Sequence, residues 1–363
     1  MGIEPTSSAW KADALPLSYA RLVKTRVVYQ NRGVRINHEI SFRFASGKFS
    51  VDGLNGKIYN YGVEEKQISE EGKMTLQGTI TAMVTPFNED GSVDYGCLKD
   101  FVDWQCENGV EGICAVGTSG ESPTLSHEEH HKVIEKTIEY AAKRVKIVAG
   151  TGGNSTSEAV SLTKAAISAG ADATLQVTPY YNKPNAEGLY RHFSTVADLG
   201  LPVVLYNVPG RSGREIPVAT VAKLADHPSV CAIKEAAGSV ERVSAIKNLR
   251  PNFTVLSGDD SLTLPMISVG ASGVISVASN VIPKEMSDFV RTALAGNMAE
   301  ARAMHARYYP LFHDLFIDVN PVMVKEALAM TGRIKGVFRL PLCETTPANR
   351  EQIRATLASL GLV

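Results

Sequence analysis

The chain has 363 residues and carries 37 Lys and Arg against 38 Asp and Glu, a formal net charge of −1 with 44% apolar residues. Near-neutrality excludes the concentrated basic field that a nucleic acid or an anionic membrane surface requires, and no apolar run approaches the ~18–20 residues of a spanning helix. Five cysteines (Cys97, Cys106, Cys114, Cys231, Cys343) form no CxxC pair and are too few to staple the fold, so they read as reduced thiols of a cytoplasmic protein.

Residues 1–73 lack the ~7–15-residue apolar core of a secretory signal, and Glu64, Glu65, Glu70 and Glu71 do not suit an acid-poor transit peptide. Ile40, Phe42 and Phe44 alternate as in a short strand, and Asn55-Gly56 suits a hairpin turn. The run Glu70-Glu71-Gly72-Lys73-Met74 can be encoded by a purine-rich stretch resembling a ribosome-binding site before an ATG. The expectation is therefore that Met74 is the natural start and that 1–73 is a non-native leader or disordered.

From Gly78 the texture becomes periodic. Short apolar runs occur at Thr79–Val84, Gly112–Val116, Lys146–Ala149, Thr174–Val177, Val203–Tyr206, Val230–Ile233, Thr254–Leu256 and Gly273–Val277. Amphipathic segments such as Asp94–Asn108, Ser126–Lys143, Ser155–Ala169 and Pro217–Asp226 lie between them. Nearly continuous apolar strands, each followed by a helix, imply a parallel sheet buried on both faces. Eight such units predict an α/β fold, a (β/α)8 TIM barrel over 74–282, with a C-terminal helical region over 283–363 that ends in Pro347–Leu360.

A barrel places chemistry at the C-terminal ends of its strands. Lys234 closes the sixth run, where a dry barrel mouth would favour a neutral amine able to attack a carbonyl; the alternative is a strand-end lysine reaching solvent. Thr118, Tyr181 and Tyr206 put hydroxyls on the same face, although each residue type there is also common in cores and turns. Arg211, in Pro209-Gly210-Arg211-Ser212-Gly213, offers a planar fork for a carboxylate, or else a plain surface charge. The Gly150–Gly153 loop reads as a turn into a helix capped by a Ser155/Glu158 box rather than as a phosphate cradle. His127-Glu128-Glu129-His130-His131 matches H-E-x-x-H, but Ser126 and Glu129 form a second capping box and no third ligand follows at zinc-protease spacing, so no metal is expected. The stretch Ser276–Asn280 lacks a glycine-rich phosphate or flavin loop. Cofactor-free chemistry on a keto acid is the physical reading.

The motifs Gly117-Thr118-Ser119-Gly120-Glu121-Ser122, Val177-Thr178-Pro179-Tyr180-Tyr181-Asn182-Lys183-Pro184, Tyr206-Asn207-Val208-Pro209-Gly210-Arg211-Ser212-Gly213, Ile233-Lys234-Glu235-Ala236 and Leu256-Ser257-Gly258-Asp259-Asp260 together resemble the dihydrodipicolinate synthase (4-hydroxy-tetrahydrodipicolinate synthase) family of pyruvate-dependent class I aldolases. The resemblance covers about 78–363. It implies that pyruvate forms an imine on Lys234 and, as an enamine, attacks L-aspartate 4-semialdehyde, with no cofactor beyond that covalent imine. Tyr206 is then the proton-transfer hydroxyl, linked through Thr118 to a Tyr181 lent across a dimer interface, in a homodimer or homotetramer. Arg211 anchors the semialdehyde carboxylate, and main-chain atoms of Ser119, Gly258 and Ile275 line the pyruvate site. Ser122, His127, His130, Asn154, Glu158 and Tyr180 match positions where feedback-regulated members bind L-lysine, although Pro123 stands where some lysine-sensitive enzymes have alanine. Ser119 replaces a common threonine and keeps its hydroxyl.

The nearest rival is a sister aldolase, N-acetylneuraminate lyase or a 2-keto-3-deoxy-sugar-acid aldolase. Arg211 and the 180–184 loop favour a short aldehyde bearing a carboxylate over a polyol. A non-catalytic barrel acting as a lysine sensor is the rival from another class, opposed by the intact set Lys234, Tyr206, Thr118, Tyr181 and Arg211.

Overall fold

The computed structural model describes residues 22–31, 34–45, 48–53, 57–61 and 74–363, which fall into two units divided after Gly72. In the first unit, β1 (Leu22–Asn31), β2 (Val34–Ala45), β3 (Lys48–Gly53) and β4 (Lys57–Tyr61) form an antiparallel meander in chain order. Asn31 faces Val34, Ala45 faces Lys48 and Gly53 faces Lys57, so each connection is short. Ile40, Phe42 and Phe44 lie in β2; the Asn55-Gly56 turn lies outside the described residues. The four strands fall within 1–73, where the residues show one alternating run and one hairpin-turn pair. Val23, Thr25 and Val27 alternate with Lys24 and Arg26 along β1, the period of a strand.

The second unit is a closed barrel of eight parallel strands: β5 (Gly78–Ala82), β6 (Gly112–Ala115), β7 (Lys146–Gly150), β8 (Ala173–Val177), β9 (Val203–Asn207), β10 (Val230–Glu235), β11 (Thr254–Ser257) and β12 (Gly273–Ser276). Almost every strand residue is buried, as the continuous apolar runs require. Closure depends on a glycine: a Cβ on Gly273 would stand 2.0 Å from the Gly78 carbonyl oxygen, so β12 can meet β5 only without a side chain at 273.

Around the barrel lie α1 (Tyr95–Glu107), α2 (His127–Ala141), α3 (Thr156–Ala169), α4 (Ala186–Ala197), the single turn α5 (Pro209–Ser212), α6 (Val218–Leu224), α7 (Val240–Leu249), α8 (Thr263–Ser268) and α9 (Pro283–Leu294). The Ser126/Glu129 capping box forms: the Glu129 N–H donates to Ser126 Oγ (3.2 Å) and the Ser126 N–H to Glu129 Oε2 (3.0 Å). The Ser155/Glu158 box does not form. Ser155 Oγ meets Ser157 Oγ instead, and Glu158 turns to His127 of α2 at 3.0 Å. A helix whose sequence lay in the expected C-terminal region, α9, packs against β5 and β12 and fills the eighth place of the ring.

Beyond the ring run α10 (Met298–Asp314), α11 (Val322–Met330) and α12 (Pro347–Ser359). They share the barrel's apolar core, which runs continuously from Leu76 to Leu357. Their tie to the catalytic end is ionic. Lys325 of α11 donates to Glu121 Oε1 at 2.5 Å, both side chains being fully buried, and its ammonium lies 4.2 Å from the Phe87 ring centroid. Burial pushes the Lys325 pKa down while Glu121 pushes it back up. Breaking such a pair strands a charge in the interior, which costs about 3–5 kcal/mol. Lys325→Ala should lose that much in chemical denaturation, while the double variant Glu121→Leu/Lys325→Met should lose less than the single one. A Lys325→Ala loss below about 1 kcal/mol, the scale of a surface pair, would show that the tie is not buried in solution.

Candidate active site

The site begins with strand register. In the parallel pair of β9 and β10, Lys234 stands opposite Tyr206 and Glu235 opposite Asn207. Side chains alternate across a sheet, so one pair faces the barrel mouth and the next faces away. Lys234 and Tyr206 are 5% and 6% exposed, and the lysine Nζ sits 4.4 Å from the tyrosine ring centroid.

The outer pair holds the inner one still. Glu235 is fully buried; its Oε1 accepts from Asn207 Nδ2 (2.7 Å) and the Ala237 N–H (3.0 Å), and its Oε2 from Arg242 Nε (2.9 Å). Asn207 Oδ1 accepts from the Ile216 N–H at 2.9 Å, and Arg242 reaches both Glu215 and the Ile216 carbonyl. Burial raises the Glu235 pKa, and Arg242 opposes that rise. Because every polar atom named is satisfied, the strand ends carrying Lys234 and Tyr206 are rigid.

A recess of about 70 Å³ lies over the lysine. Its walls include Lys234, Tyr206, Thr118, Ser119, Arg211, Gly258 and Asp259 from the barrel, and Phe316 and Asn320 from the chain beyond it. Gly258 is required by close approach: a Cβ would stand 2.5 Å from Ala236 Cβ and 3.1 Å from Lys234 Cε. Asp259 and Asp260 have pKa values raised by burial and pulled down in part by Lys234. Asp260 spends one oxygen on the Val277 and Ala278 N–H groups (3.1 and 2.9 Å), which fixes the loop after β12.

Thr118, Tyr206 and Arg211 also border a larger cavity of about 410 Å³. It extends to Ser122, His127, His130, Glu158 and Tyr180. His130 Nε2 donates to the Gly150 carbonyl at 2.8 Å, and burial lowers its pKa to about 4. Burial also raises the Tyr180 pKa.

Six expected residues, Lys234, Tyr206, Thr118, Ser119, Arg211 and Gly258, therefore meet at one recess. Two do not. Tyr181 is 90% exposed at φ +69°, lining neither cavity of its own chain. Ile275 is fully buried within β12 opposite Ile80; Val277, two residues on, reaches the recess instead. Of the six positions matched to lysine binding, five line the large cavity; Asn154 does not, its carbonyl accepting from Asn182 Nδ2 at 2.8 Å. Of the two H-E-x-x-H histidines, His127 meets Glu158 at 3.0 Å, and among the described residues no group of three or more His, Cys, Asp or Glu side chains could hold a metal ion. Asn320, Phe316 and Asp259 are additions. Asp259 sat inside a motif already singled out, but no spacing signal marks Phe316 or Asn320.

Fold and site together define a lyase of the class I aldolase type, a (β/α)8 barrel with one buried lysine at its C-terminal mouth. The family model "Dihydrodipicolinate synthetase family" matches residues 75–360, and the chain belongs to that family. A 4-hydroxy-tetrahydrodipicolinate synthase of Hydrogenobaculum sp. is 51% identical over 290 residues, which cover 79% of this chain and 100% of the relative. The solved dihydrodipicolinate synthase of Acinetobacter baumannii, described as chloride-inhibited and complexed with pyruvate, is 45% identical at TM-score 0.78, covering 80% of this chain and 100% of that one. The enzyme of Cyanidioschyzon merolae with lysine bound is 40% identical at TM-score 0.77, covering 79% and 99%. No helix among the described residues is long and apolar enough to cross a membrane.

Two buried histidines make stability acid-sensitive. His130 and His192 both have pKa values lowered by burial to about 4, whereas an unfolded histidine titrates near 6.5. The unfolded chain therefore binds their protons first: their contribution is complete above about pH 6.5 and disappears as pH falls toward 4. Denaturation at pH 7 and pH 4.5 should show a smaller acid penalty in His130→Gln/His192→Gln than in the wild type. Equal penalties would mean that these histidines are not the cause.

Proposed function

We propose that the chain condenses pyruvate with L-aspartate 4-semialdehyde, the reaction of a 4-hydroxy-tetrahydrodipicolinate synthase in the diaminopimelate and lysine pathway. One observation carries this reading: a buried lysine stands in register beside a tyrosine, in a recess small enough for a three-carbon keto acid and flanked by Ser119 and Arg211.

The Lys234 amine adds to pyruvate C2, and Tyr206 delivers a proton to the departing oxygen, so that water leaves and an imine remains. The Tyr206 oxygen, having given up its proton, takes one from C3 to give the enamine, whose C3 forms the new bond to the aldehyde carbon. The aldehyde oxygen takes that proton from Tyr206 as it becomes an alcohol. The amino group of the second substrate then attacks the imine carbon, closing the ring and returning Lys234 as a free amine. The imine nitrogen is the electron sink, so no external cofactor or metal is needed. Ser119 and main-chain groups near Gly258 receive the pyruvate carboxylate, and Arg211 receives that of the semialdehyde. The pyruvate complex of the Acinetobacter relative supports the first substrate.

Protons travel from Tyr206 through Thr118 to Tyr181 of a second copy. The 90% exposure and left-handed backbone of Tyr181 suit a side chain held out toward a neighbour. The active form is then a homodimer or homotetramer of a cytoplasmic enzyme, and the catalytic unit is 74–363. The larger cavity, with His127, His130, Glu158 and Tyr180, is the place for L-lysine as an inhibitor, in keeping with the lysine-bound relative.

Sodium borohydride with pyruvate should add a covalent mass to Lys234, and Lys234→Ala should show none. Tyr206→Phe should lower kcat by about 10²–10⁴. A wild-type protein without an adduct would refute the reading.

The sister-aldolase reading is separated by the aldehyde. Turnover with aspartate semialdehyde should far exceed that with N-acetylmannosamine, and Arg211→Ala should raise the KM for the semialdehyde much more than that for pyruvate. Preference for N-acetylmannosamine would instead favour the lyase.

A further inference from the structure

Asn320 lies in the connection between α10 and α11, outside the barrel in sequence, yet it is 6% exposed and lines the recess over Lys234. Its side chain and its main chain go to two different residues of that recess. The side-chain Nδ2 donates to Ser119 Oγ at 3.0 Å, and the main-chain carbonyl accepts from Arg211 Nη2 at 3.2 Å. The segment cannot drift, because α11 begins at Val322 and its Lys325 is locked in the fully buried pair with Glu121, two residues from Ser119.

We propose that Asn320 is a specificity-determining positioning residue, holding Ser119 and Arg211 at a fixed separation so that only a short pair of carboxylate-bearing substrates fits between them. This rests on the reaction proposed above. The chemistry is one of direction. A serine hydroxyl has one proton to give; the amide N–H donates into its oxygen at 3.0 Å, whereas the hydroxyl reaches Asn320 Oδ1 only at 3.5 Å, so a carboxylate entering the recess takes that proton in place of the longer contact. Arg211 has five N–H donors and uses one on the Asn320 carbonyl, which orients the fork and leaves its other edges open. Asn320 thus touches both recognition groups while taking no part in bond making at Lys234. The neighbouring Phe316 adds an apolar wall on the same side.

Steady-state kinetics with borohydride trapping test this. Asn320→Ala removes the bond to Ser119 and keeps the main-chain carbonyl that meets Arg211, so it should raise the KM for pyruvate about three- to tenfold, the scale of one lost buried hydrogen bond, and that for the semialdehyde less. It should leave kcat within about twofold and the pyruvate adduct complete at saturation. Asn320→Asp reverses the bond: its carboxylate would accept the Ser119 proton and repel the substrate, so its pyruvate KM should rise more than that of the alanine variant. Ser119→Ala, which loses the bond to the carboxylate as well as that to Asn320, should raise the pyruvate KM at least as much, and the double variant should be no worse than Ser119→Ala, because Asn320 acts through that hydroxyl. Unchanged KM values in Asn320→Ala, or additive effects in the double variant, would overturn the proposal. If Asn320→Ala fails to fold, a pyruvate KM unmoved in both Asn320→Asp and Ser119→Ala overturns it equally. A wild-type protein that forms no pyruvate adduct would refute the reaction itself, and this role with it.

Discussion

The structure depends on one register: Lys234 of β10 beside Tyr206 of β9. A closed parallel barrel has no free edge along which a strand can slip, and a one-residue shift would turn Lys234 outward and Glu235 into the mouth. The Glu235–Asn207–Arg242 network sits one residue further along the same two strands and joins them on the outer side. It is a buried polar cluster whose members satisfy one another, so it specifies geometry where an apolar pair would only fill space. The glycine contact of Gly273 with Gly78 closes the far side of the ring and keeps all eight strand ends on one rim.

Around that pair the chain builds the recess from three directions. The loop after β6 supplies Thr118 and Ser119, the turn α5 supplies Arg211, and the connection before α11 brings Phe316 and Asn320 over the top. The C-terminal helices are therefore part of the site. The fully buried Glu121–Lys325 pair holds them against the loop that bears Thr118 and Ser119, so stability and recognition share a contact. The family match over 75–360 includes both the ring and these helices.

Much of this could be read from the residues. Eight continuous apolar runs separated by capped helices leave few alternatives to a barrel, and a lysine ending such a run stands out chemically. What stayed hidden depended on the chain returning to itself. Asn320 has no motif of its own and acquires meaning only against Ser119 and Arg211. Glu158 matched a capping pattern, but a local box competes with distant partners, and His127 took the carboxylate. The helix α9 fell outside the expected barrel because a single turn at Ala278–Asn280, rather than a long periodic break, connects it to β12. Tyr181 satisfies a motif yet lines neither of the two cavities described, standing 90% exposed on a left-handed backbone.

The most direct measurement is a crystal structure of the full chain soaked with pyruvate. It should show continuous density from Lys234 Nζ to pyruvate C2, the Tyr206 hydroxyl within hydrogen-bond reach of the bound carbon's substituents, and the carboxylate against Ser119. Pyruvate lying in the recess without a bond to Lys234, or bound with Tyr206 turned away, would contradict the central role of the β9–β10 register.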